Sequence, residues 1–312
     1  MMDIPQARPG PTRSTYQRSM GIKATPQQAR WWERYWSRAK VWRTVRFGPV
    51  AAHFRLAHAP VSSRSRLSSI IAADSRVRTG IALIIGMGPG LGEGLMRTLV
   101  TRGMQVAGIC RNASRWDTVI HELRREGHRA HVYTADVTSE ASIRACVEDI
   151  ERNLGVPDLV VYCVQSFIPG GVLDTSVAAF EEAWRANCLG AFIAARELGR
   201  HMAARGSGTI IFAGATSATI GRAGYLTLSV GKFGLRALAQ VAARELGHRG
   251  VHVAHVLIDA HIEEGDAAAA GEPVADAFDV AKMICALHEQ PRSTWTHELD
   301  LRPWNEKFWE HC

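Results

Sequence analysis

The sequence lacks the features that mark several classes of protein. It has no C-x-x-C pair, and its six cysteines are scattered among mostly apolar neighbours, which predicts free buried thiols and a reducing, cytoplasmic setting. No run of 18 apolar residues occurs, so we expect no membrane span. The first 25 residues lack the compact apolar segment of a secretory signal. The G-x-S-x-G elbow of serine hydrolases and the phosphate-binding G-x-x-x-x-G-K-[ST] loop are also missing, so neither chemistry is indicated.

Acidic residues are scarce in the first quarter of the chain. Residues 1–79 carry 15 Lys and Arg against 3 Asp and Glu, whereas residues 80–312 carry 22 against 27. The net charge of +7 is therefore the sum of +12 and −5, and nucleic-acid binding by the main domain is not expected. Residues 1–79 are predicted to be a basic, partly disordered extension. Within it, Trp and Arg alternate over residues 27–46 and predict a short helix that contacts a partner or a membrane surface, or else an appendage without a role.

From residue 80 onward, short apolar runs alternate with amphipathic segments. The runs at 81–85, 104–110, 128–136, 157–163, 208–214, 251–258 and 295–301 predict strands. Helices are predicted between them, the longest over residues 177–204 and 226–247. Continuous apolar strands that alternate with helices are typical of a parallel sheet buried on both faces. We therefore predict a Rossmann-type, doubly wound α/β fold of about seven strands, which forms a single domain over residues 80–312.

Four glycines follow the first predicted strand: Gly86, Gly88, Gly90 and Gly92. Glycines let the backbone approach a pyrophosphate closely, and the free N–H groups at the start of the next helix, at Leu91 and beyond, then hold the anion. Such glycines also serve in plain tight turns. The position between a strand and a helix favours the nucleotide interpretation.

The spacing Gly86-x-x-x-Gly90-x-Gly92 resembles the T-G-x-x-x-G-x-G motif of the short-chain dehydrogenase/reductase family, with Ile85 in place of the threonine. The segments FEEAWRANCLGAF (180–192) and SVGKFGLRALAQVAARELG (229–247) resemble later family segments in the same order. The resemblance covers about residues 80–301 and implies a nicotinamide dinucleotide cofactor. It assigns the adenine contact to Asp136 and Val137, an active-site asparagine to Asn187, and the catalytic, ribose-binding lysine to Lys232.

In this family the end of the second strand separates NADP from NAD. Here it reads Cys110-Arg111-Asn112, with no acid to hold a ribose 2′-hydroxyl. The guanidinium of Arg111 could pair with a 2′-phosphate, or it could be only a solvated residue at a strand end. NADP(H) is the preferred cofactor, with NAD(H) as the alternative.

The catalytic set that the resemblance implies is incomplete. The family's proton-transferring tyrosine lies four residues before the lysine, but the residue four before Lys232 is Leu228. The family's serine lies 13 residues before that tyrosine, where this chain has Ala215. Three nearby side chains are candidate substitutes. Tyr225 could be the acid–base group, or it is only a packed aromatic residue. The hydroxyls of Thr216 and Ser217 could orient a carbonyl, or they only make hydrogen bonds within the loop.

These observations predict a nicotinamide-dependent oxidoreductase that acts on a small carbonyl or alcohol. The alternative is a protein of the same fold that binds the nucleotide without redox chemistry, for sensing, isomerisation or cyclisation. The resemblance also implies a homodimer or homotetramer formed through the two long helices. No metal site is expected, because the pairs His128–His131 and His252–His255 lie on predicted strands, where residues three apart point to opposite faces.

Overall fold

The computed structural model describes residues 80–263 and 274–306 of the 312-residue chain. The predictions for the N-terminal extension lie outside the described residues and stay predictions. Numbered along the chain, the strands are β1 (Ile81–Ile85), β2 (Gln105–Cys110), β3 (Ala130–Thr134), β4 (Leu159–Tyr162), β5 (Gly208–Ala213), β6 (Val251–Ile258), β7 (His261–Glu263), β8 (Val274–Asp276) and β9 (Glu298–Leu301).

Seven of these strands form one parallel sheet in the order β3-β2-β1-β4-β5-β6-β9. Both faces of the sheet are covered, so strands such as β4 and β6 are buried along their whole length. This explains why β4 reads as a continuous apolar run rather than as an alternating one, and why β6 does so except at His252 and His255. The predicted doubly wound α/β fold with about seven strands is confirmed.

Seven α-helices cover the two faces of the sheet in the described part of the chain. They are α1 (Leu91–Thr101), α2 (Asp117–Arg125), α3 (Glu140–Asn153), α4 (Val177–Trp184), α5 (Gly190–Arg205), α6 (Leu226–Gly247) and α7 (Ala277–His288). Side chains cap three of them, because Ser139, Ser176 and Asp276 each accept a hydrogen bond from a backbone N–H of the first turn. Such caps fix where each helix begins.

Each face of the sheet has its own apolar core. Ile84, Val161 and Val256 point toward α1 and α7, where Leu95 and Ile284 complete the packing. Leu83, Val160 and Val253 point to the opposite face, where Leu198 of α5 and Leu235 of α6 are fully buried. The alternation along each strand therefore divides its residues between the two cores.

Three local features differ from the sequence-based expectation. The predicted helix between β2 and β3 is a 3₁₀ turn at Ala113–Trp116 followed by α2. The predicted helix over residues 177–204 is interrupted by a π-helical turn at Arg185–Leu189, which separates α4 from α5. β7 and β8 also form a separate two-stranded parallel sheet. Within the described residues, the helices are all too short or too polar to span a membrane.

Candidate active site

The candidate site lies at the carboxyl ends of the central strands. From β1 the chain adds β2 and β3 on one side of the sheet, and it then returns to add β4, β5 and β6 on the other side. The strand order therefore reverses between β1 and β4. In open parallel sheets, ligands bind outside the strand ends at such a switch point. The segments that begin at Gly86 after β1, at Cys163 after β4 and at Gly214 after β5 meet at this edge of the sheet.

The glycine turn after β1 is shaped by close backbone contacts. Gly86 has a φ of 104°, and a Cβ at this position would lie 2.8 Å from the backbone nitrogen of Val164. Its own N–H and that of Met87 donate to the carbonyl of Ile109 at the end of β2. No other residue type fits at Gly86, because both its conformation and its surroundings exclude a side chain.

The other three glycines of the turn differ in what surrounds them. Gly90 has a φ of 79°, and a Cβ there would lie 3.2 Å from the carbonyl oxygen of Ile262 in β7. A Cβ on Gly92 would lie 3.1 Å from the Cα of Met87, whereas one on Gly88 would have only a backbone oxygen 3.8 Å away. Contacts within the protein therefore account for three of the four glycines, and Gly88 borders open space.

Lys232 of α6 is buried beneath the segment that follows β4. Its ammonium group donates to the carbonyl of Ala213 at 2.9 Å and to that of Val164 at 3.4 Å, and only 2% of the residue is exposed. Burial lowers the pKa of Lys232 to about 8, and the nearby thiol of Cys163 acts weakly in the opposite direction. Val164 thus contacts both the glycine turn and the buried lysine.

Asn187 lies in the π-helical turn and is fully buried. Its side-chain amide makes two hydrogen bonds to the backbone of Ser166: Oδ1 accepts from the N–H at 3.0 Å, and Nδ2 donates to the carbonyl at 2.7 Å. The hydroxyl of Tyr162, at the end of β4, donates to the carbonyl of Ala186 within the same turn. A π turn leaves helix carbonyls poorly paired, and Tyr162 satisfies one of them.

The packing of Gly231 joins α6 to this turn. A Cβ at Gly231 would lie 2.6 Å from the Cβ of Asn187, so only glycine lets the helix approach so closely. The short segment at residues 163–166 therefore connects three predicted site residues. Gly86 packs against it, and both Lys232 and Asn187 hydrogen-bond to its backbone.

The residues predicted to hold the adenosine end are at the ends of β2 and β3. Arg111 is exposed and lies two residues after Ile109, whose carbonyl holds the glycine turn. The carboxylate of Asp136 accepts hydrogen bonds from the N–H and the hydroxyl of Thr138, so it also stabilises its own turn. Val137 packs on Gly190, where a Cβ would lie 2.7 Å from the carbonyl oxygen of Val137. The cofactor roles of Arg111, Asp136 and Val137 stay predictions.

The residues predicted to act on the substrate have different surroundings. Thr216 and Ser217 are buried in a 3₁₀ turn after β5, where the Thr216 carbonyl accepts from the backbone and hydroxyl of Thr219. Tyr225 immediately precedes α6; its ring stacks on Phe167 with centroids 4.8 Å apart, and 39% of the residue is exposed. Leu228, at the position of the family's tyrosine, is buried. The catalytic roles of Thr216, Ser217 and Tyr225 stay predictions.

Two further polar residues, Cys163 and Thr227, lie near the site, and their contacts do not follow from the sequence. Cys163 replaces the first residue of the family's N-A-G, and its thiol donates to the carbonyls of Ile85 and Gly86 at 3.4 Å. Burial raises the pKa of Cys163 to about 12, so this thiol stays protonated. Thr227 binds both backbone groups of Ile168 through its hydroxyl. Neither residue matches a family motif, and only these tertiary contacts mark them as part of the site.

Gln165, which follows Val164, is exposed. The family resemblance places Gln165 where the family has a glycine, and a side chain at this position would crowd the cofactor. Exposure shows that the side chain is not packed into the protein interior.

The chain is similar to known proteins over most of its described length. A family model described as short chain dehydrogenase matches residues 80–259. The 2,3-dihydro-2,3-dihydroxybenzoate dehydrogenase of Bacillus subtilis (strain 168) is 32% identical over 142 residues, which are 46% of this chain and 54% of that protein. The sorbitol-6-phosphate 2-dehydrogenase of Escherichia coli (strain K12) is 29% identical over 181 residues, 57% of this chain and 70% of that protein. The match thus spans about half the length of the first relative.

Solved structures extend the similarity to the whole fold. A short-chain dehydrogenase from Rhodopseudomonas palustris is 29% identical, with a TM-score of 0.65 over 73% of this chain and 100% of that chain. A gluconate 5-dehydrogenase from Burkholderia cenocepacia J2315, in complex with NADP and tartrate, has a TM-score of 0.66 at 22% identity over 73% and 96% of the two chains. At that identity the second comparison supports the fold alone.

Proposed function

Because the chain belongs to the short chain dehydrogenase family, a family of oxidoreductases, we propose that it transfers hydride between NADP(H) and a small carbonyl or alcohol. The observation that carries the proposal is the convergence of Gly86, Lys232 and Asn187 on residues 163–166. A lone glycine turn would be weak support. A glycine turn, a buried ammonium and a buried amide that share one segment at the switch point give stronger support to a dinucleotide site.

The residues present fit a nicotinamide dinucleotide. The start of α1 offers backbone N–H groups for a pyrophosphate, next to the open space at Gly88. An ammonium has three N–H donors, and among the described residues Ala213 and Val164 accept from Lys232. A third donor is thereby left for a ribose hydroxyl. When bound, the cofactor supplies the hydride; Arg111 pairs with a 2′-phosphate, and Asp136 and Val137 hold the adenine. NAD(H) is the alternative cofactor.

At the reacting end, this chain's residues hold the substrate and supply a proton. Thr216 and Ser217 offer hydroxyls that orient a carbonyl oxygen. Tyr225 donates the proton from its hydroxyl, and Asn187 fixes the segment at Ser166 on which the site is built. Lys232 holds the ribose and keeps a positive charge close to the reacting groups.

The test is an assay of NADPH oxidation with a panel of small aldehydes, ketones and imines, beside calorimetric titration of NADPH and NADH. We expect NADPH to bind and at least one carbonyl class to oxidise it. Absence of binding by either cofactor would refute the dinucleotide site. Binding without oxidation across the panel would refute the reductase proposal and favour the alternative below.

A second candidate function is a non-redox one, in which the nucleotide is a structural or sensing ligand or supports an isomerisation or cyclisation. The burial of Leu228 favours it, because no hydroxyl occupies the position of the family's acid. The double substitution Leu228→Tyr with Ala215→Ser distinguishes the two functions. If the chain is a reductase with an incomplete acid, turnover should rise; a non-redox protein should gain none.

We also propose that the domain forms a homodimer or homotetramer through α5 and α6. These helices expose four large apolar side chains, Phe192, Val230, Phe233 and Val241, each more than a third accessible. Exposed apolar residues on neighbouring long helices are typical of a subunit interface. Light scattering of the wild type and of Phe233→Asp should show an oligomer and a smaller species, respectively.

The setting of the protein remains a proposal. The protonated thiols of Cys146, Cys163 and Cys285 agree with a reducing, cytoplasmic location. We propose no nucleic-acid partner for the main domain. The basic extension at residues 1–79 is proposed to contact a partner or a membrane surface. Deletion of residues 1–46 should abolish that contact and leave cofactor binding unchanged.

A further inference from the structure

A buried histidine lies on the side of the sheet that faces α6. His255 of β6 is fully buried and is the register neighbour of Glu298 on β9. Its Nδ1 lies 3.2 Å from Oε2 of Glu298. The same carboxylate accepts two hydrogen bonds from the guanidinium of Arg236, at 2.6 and 2.7 Å. Arg236 is one helical turn after Lys232 on α6, so the two side chains lie on the same side of this helix. Glu298 thus links His255 to the helix that carries Lys232.

The contacts of His255 fix its tautomer. Hydrogen bonds from Arg236 lower the pKa of Glu298, so this carboxylate is ionised at neutral pH and can only accept. The proton of the neutral imidazole must then be on Nδ1, which leaves a lone pair on Nε2. Nε2 is buried and has no hydrogen-bond partner among the residues that the structure describes. A buried acceptor without a donor destabilises a protein, so its retention calls for an explanation.

The Nε2 side of the ring faces the backbone that carries the lysine's acceptor. A Cβ on Gly214 would lie 2.2 Å from Nε2, so the imidazole lies directly against this glycine. The preceding residue is Ala213, whose carbonyl accepts from the ammonium of Lys232. The N–H of Gly214 donates to the carbonyl of Val256, which anchors the same turn to β6. The ring thus supports the short piece of backbone that holds Lys232.

Electrostatics link the two residues as well. Burial lowers the pKa of His255 to about 4; the positive charges of Lys232 and Arg236 act in the same direction, and Glu298 opposes them. Between about pH 4 and pH 8 His255 is therefore neutral while Lys232 is charged. The lone-pair side of a neutral imidazole is its electronegative side. Here it lies against Gly214, beside the Ala213 carbonyl that holds the ammonium, and it favours the charged form of Lys232.

We propose that His255 is a positioning residue for Lys232, held by Glu298 and Arg236, and that it keeps the lysine charged and in place from the side opposite the cofactor. No proton transfer is involved. The inference rests on the proposed role of Lys232 in holding the cofactor. In a chain with Leu228 at the tyrosine position, this support from within the sheet keeps a positive charge at the site.

Nuclear magnetic resonance of the full-length protein tests the proposal without any cofactor. The chain has five lysines, so ¹³C,¹⁵N-lysine labelling gives few signals, and Lys232→Met assigns the one of interest. The variant His255→Phe keeps a ring but removes both nitrogens. His252→Phe is the matched control, because His252 is also buried on β6 but binds the carbonyl of Thr296 and stacks on Trp295.

We expect the titration midpoint of Lys232 to fall by at least half a pH unit in His255→Phe and to stay unchanged in His252→Phe. A folded His255→Phe with an unchanged midpoint would overturn the proposal. If His255→Phe does not fold, the smaller His255→Leu replaces it. That variant also removes both ring nitrogens and keeps the pair of Glu298 and Arg236, so it should lower the midpoint too, and an unchanged midpoint there would overturn the proposal equally.

The same variants separate this proposal from that of the function. Calorimetry should show NADPH affinity declining at a lower pH in His255→Phe than in the wild type. If the wild type binds no NADPH, the proposed function fails, while the shift in the lysine midpoint still decides whether His255 positions Lys232. Long-range ¹⁵N spectra should also show His255 as the Nδ1-protonated tautomer, and Nε2 protonation would contradict the geometry.

Discussion

The two halves of the candidate site differ in how firmly their side chains are held. In the cofactor half, Gly86, Asn187 and Lys232 are all fixed to residues 163–166 by close packing or by hydrogen bonds to the backbone. In the reaction half, Tyr225 is partly exposed and stacked on a loop residue, and Leu228 occupies the position that the resemblance assigns to the family's acid. The residues proposed to bind the cofactor are therefore held more firmly than the one proposed to donate the proton.

The largest effect should come from filling the glycine turn. Gly86→Ala forces a side chain to a φ of 104° and to 2.8 Å from Val164, so we expect the free energy of unfolding to fall by about 3–5 kcal/mol. Gly88→Ala is the matched control, since its Cβ would have only a backbone oxygen 3.8 Å away. Urea denaturation measures both. Equal losses of stability in the two variants would contradict the difference between the two halves, because the cofactor half would then not depend on the contact of Gly86 with Val164.

The pH dependence of stability should report the burial of Lys232. Its pKa is about 8 in the folded state against 10.5 as the ordinary value, so between these pH values the unfolded state binds more protons. The free energy of unfolding should therefore rise with pH through this window, by on the order of 3 kcal/mol relative to Lys232→Met. NADPH affinity should fall in the same window, because the ammonium is lost.

The subtraction of Lys232→Met is needed because other groups titrate nearby. Cys163 has a raised pKa and destabilises the folded state above pH 9, which opposes the lysine. Lys282→Met is the control, since that lysine is exposed and pairs with Asp279. A flat difference between the wild type and Lys232→Met from pH 8 to 10.5 would show that the lysine is not buried as described.

A smaller effect is expected at the edge of the cofactor half. Arg111→Ala should weaken NADPH binding about tenfold and leave NADH binding unchanged, because only NADPH has a 2′-phosphate for the guanidinium. Arg115→Ala, an exposed neighbour, should change neither affinity. Calorimetric titration of both cofactors measures this. Equal weakening of NADPH and NADH by Arg111→Ala would contradict the proposed selectivity.

The smallest effect should come from the reaction half. Tyr225→Phe keeps the stacking on Phe167 and removes the hydroxyl, and we expect kcat to fall less than tenfold, since water can replace a proton donor that is 39% exposed. The dissociation constant for NADPH should not change. A loss of more than a hundredfold would show that this half is as firmly organised as the other.

Several parts of this arrangement follow from the sequence. Continuous apolar runs predicted the parallel sheet, and the glycine spacing with Lys232 and Asn187 predicted the family, because both signals are local in sequence. The support of Lys232 by His255, Glu298 and Arg236 is not local: it joins β6, β9 and α6, and each residue alone is unremarkable. The contact of Gly90 with Ile262 is equally distant, and it adds a structural reason for a glycine first attributed to a ligand.

The π-helical turn at Arg185–Leu189 has a consequence for changes in chain length. A π turn contains one residue more than the α-helical turn it replaces, so deletion of one residue would convert it to α-helix. The flanking helices would keep their register, but the groups within the turn would change direction. Asn187 would then turn away from Ser166, and the carbonyl of Ala186 away from Tyr162. Surface loops in general tolerate insertions and deletions, but we expect the deletion of a single residue in this turn to disrupt the site. Its length is thus as much a part of the site as the identity of its asparagine.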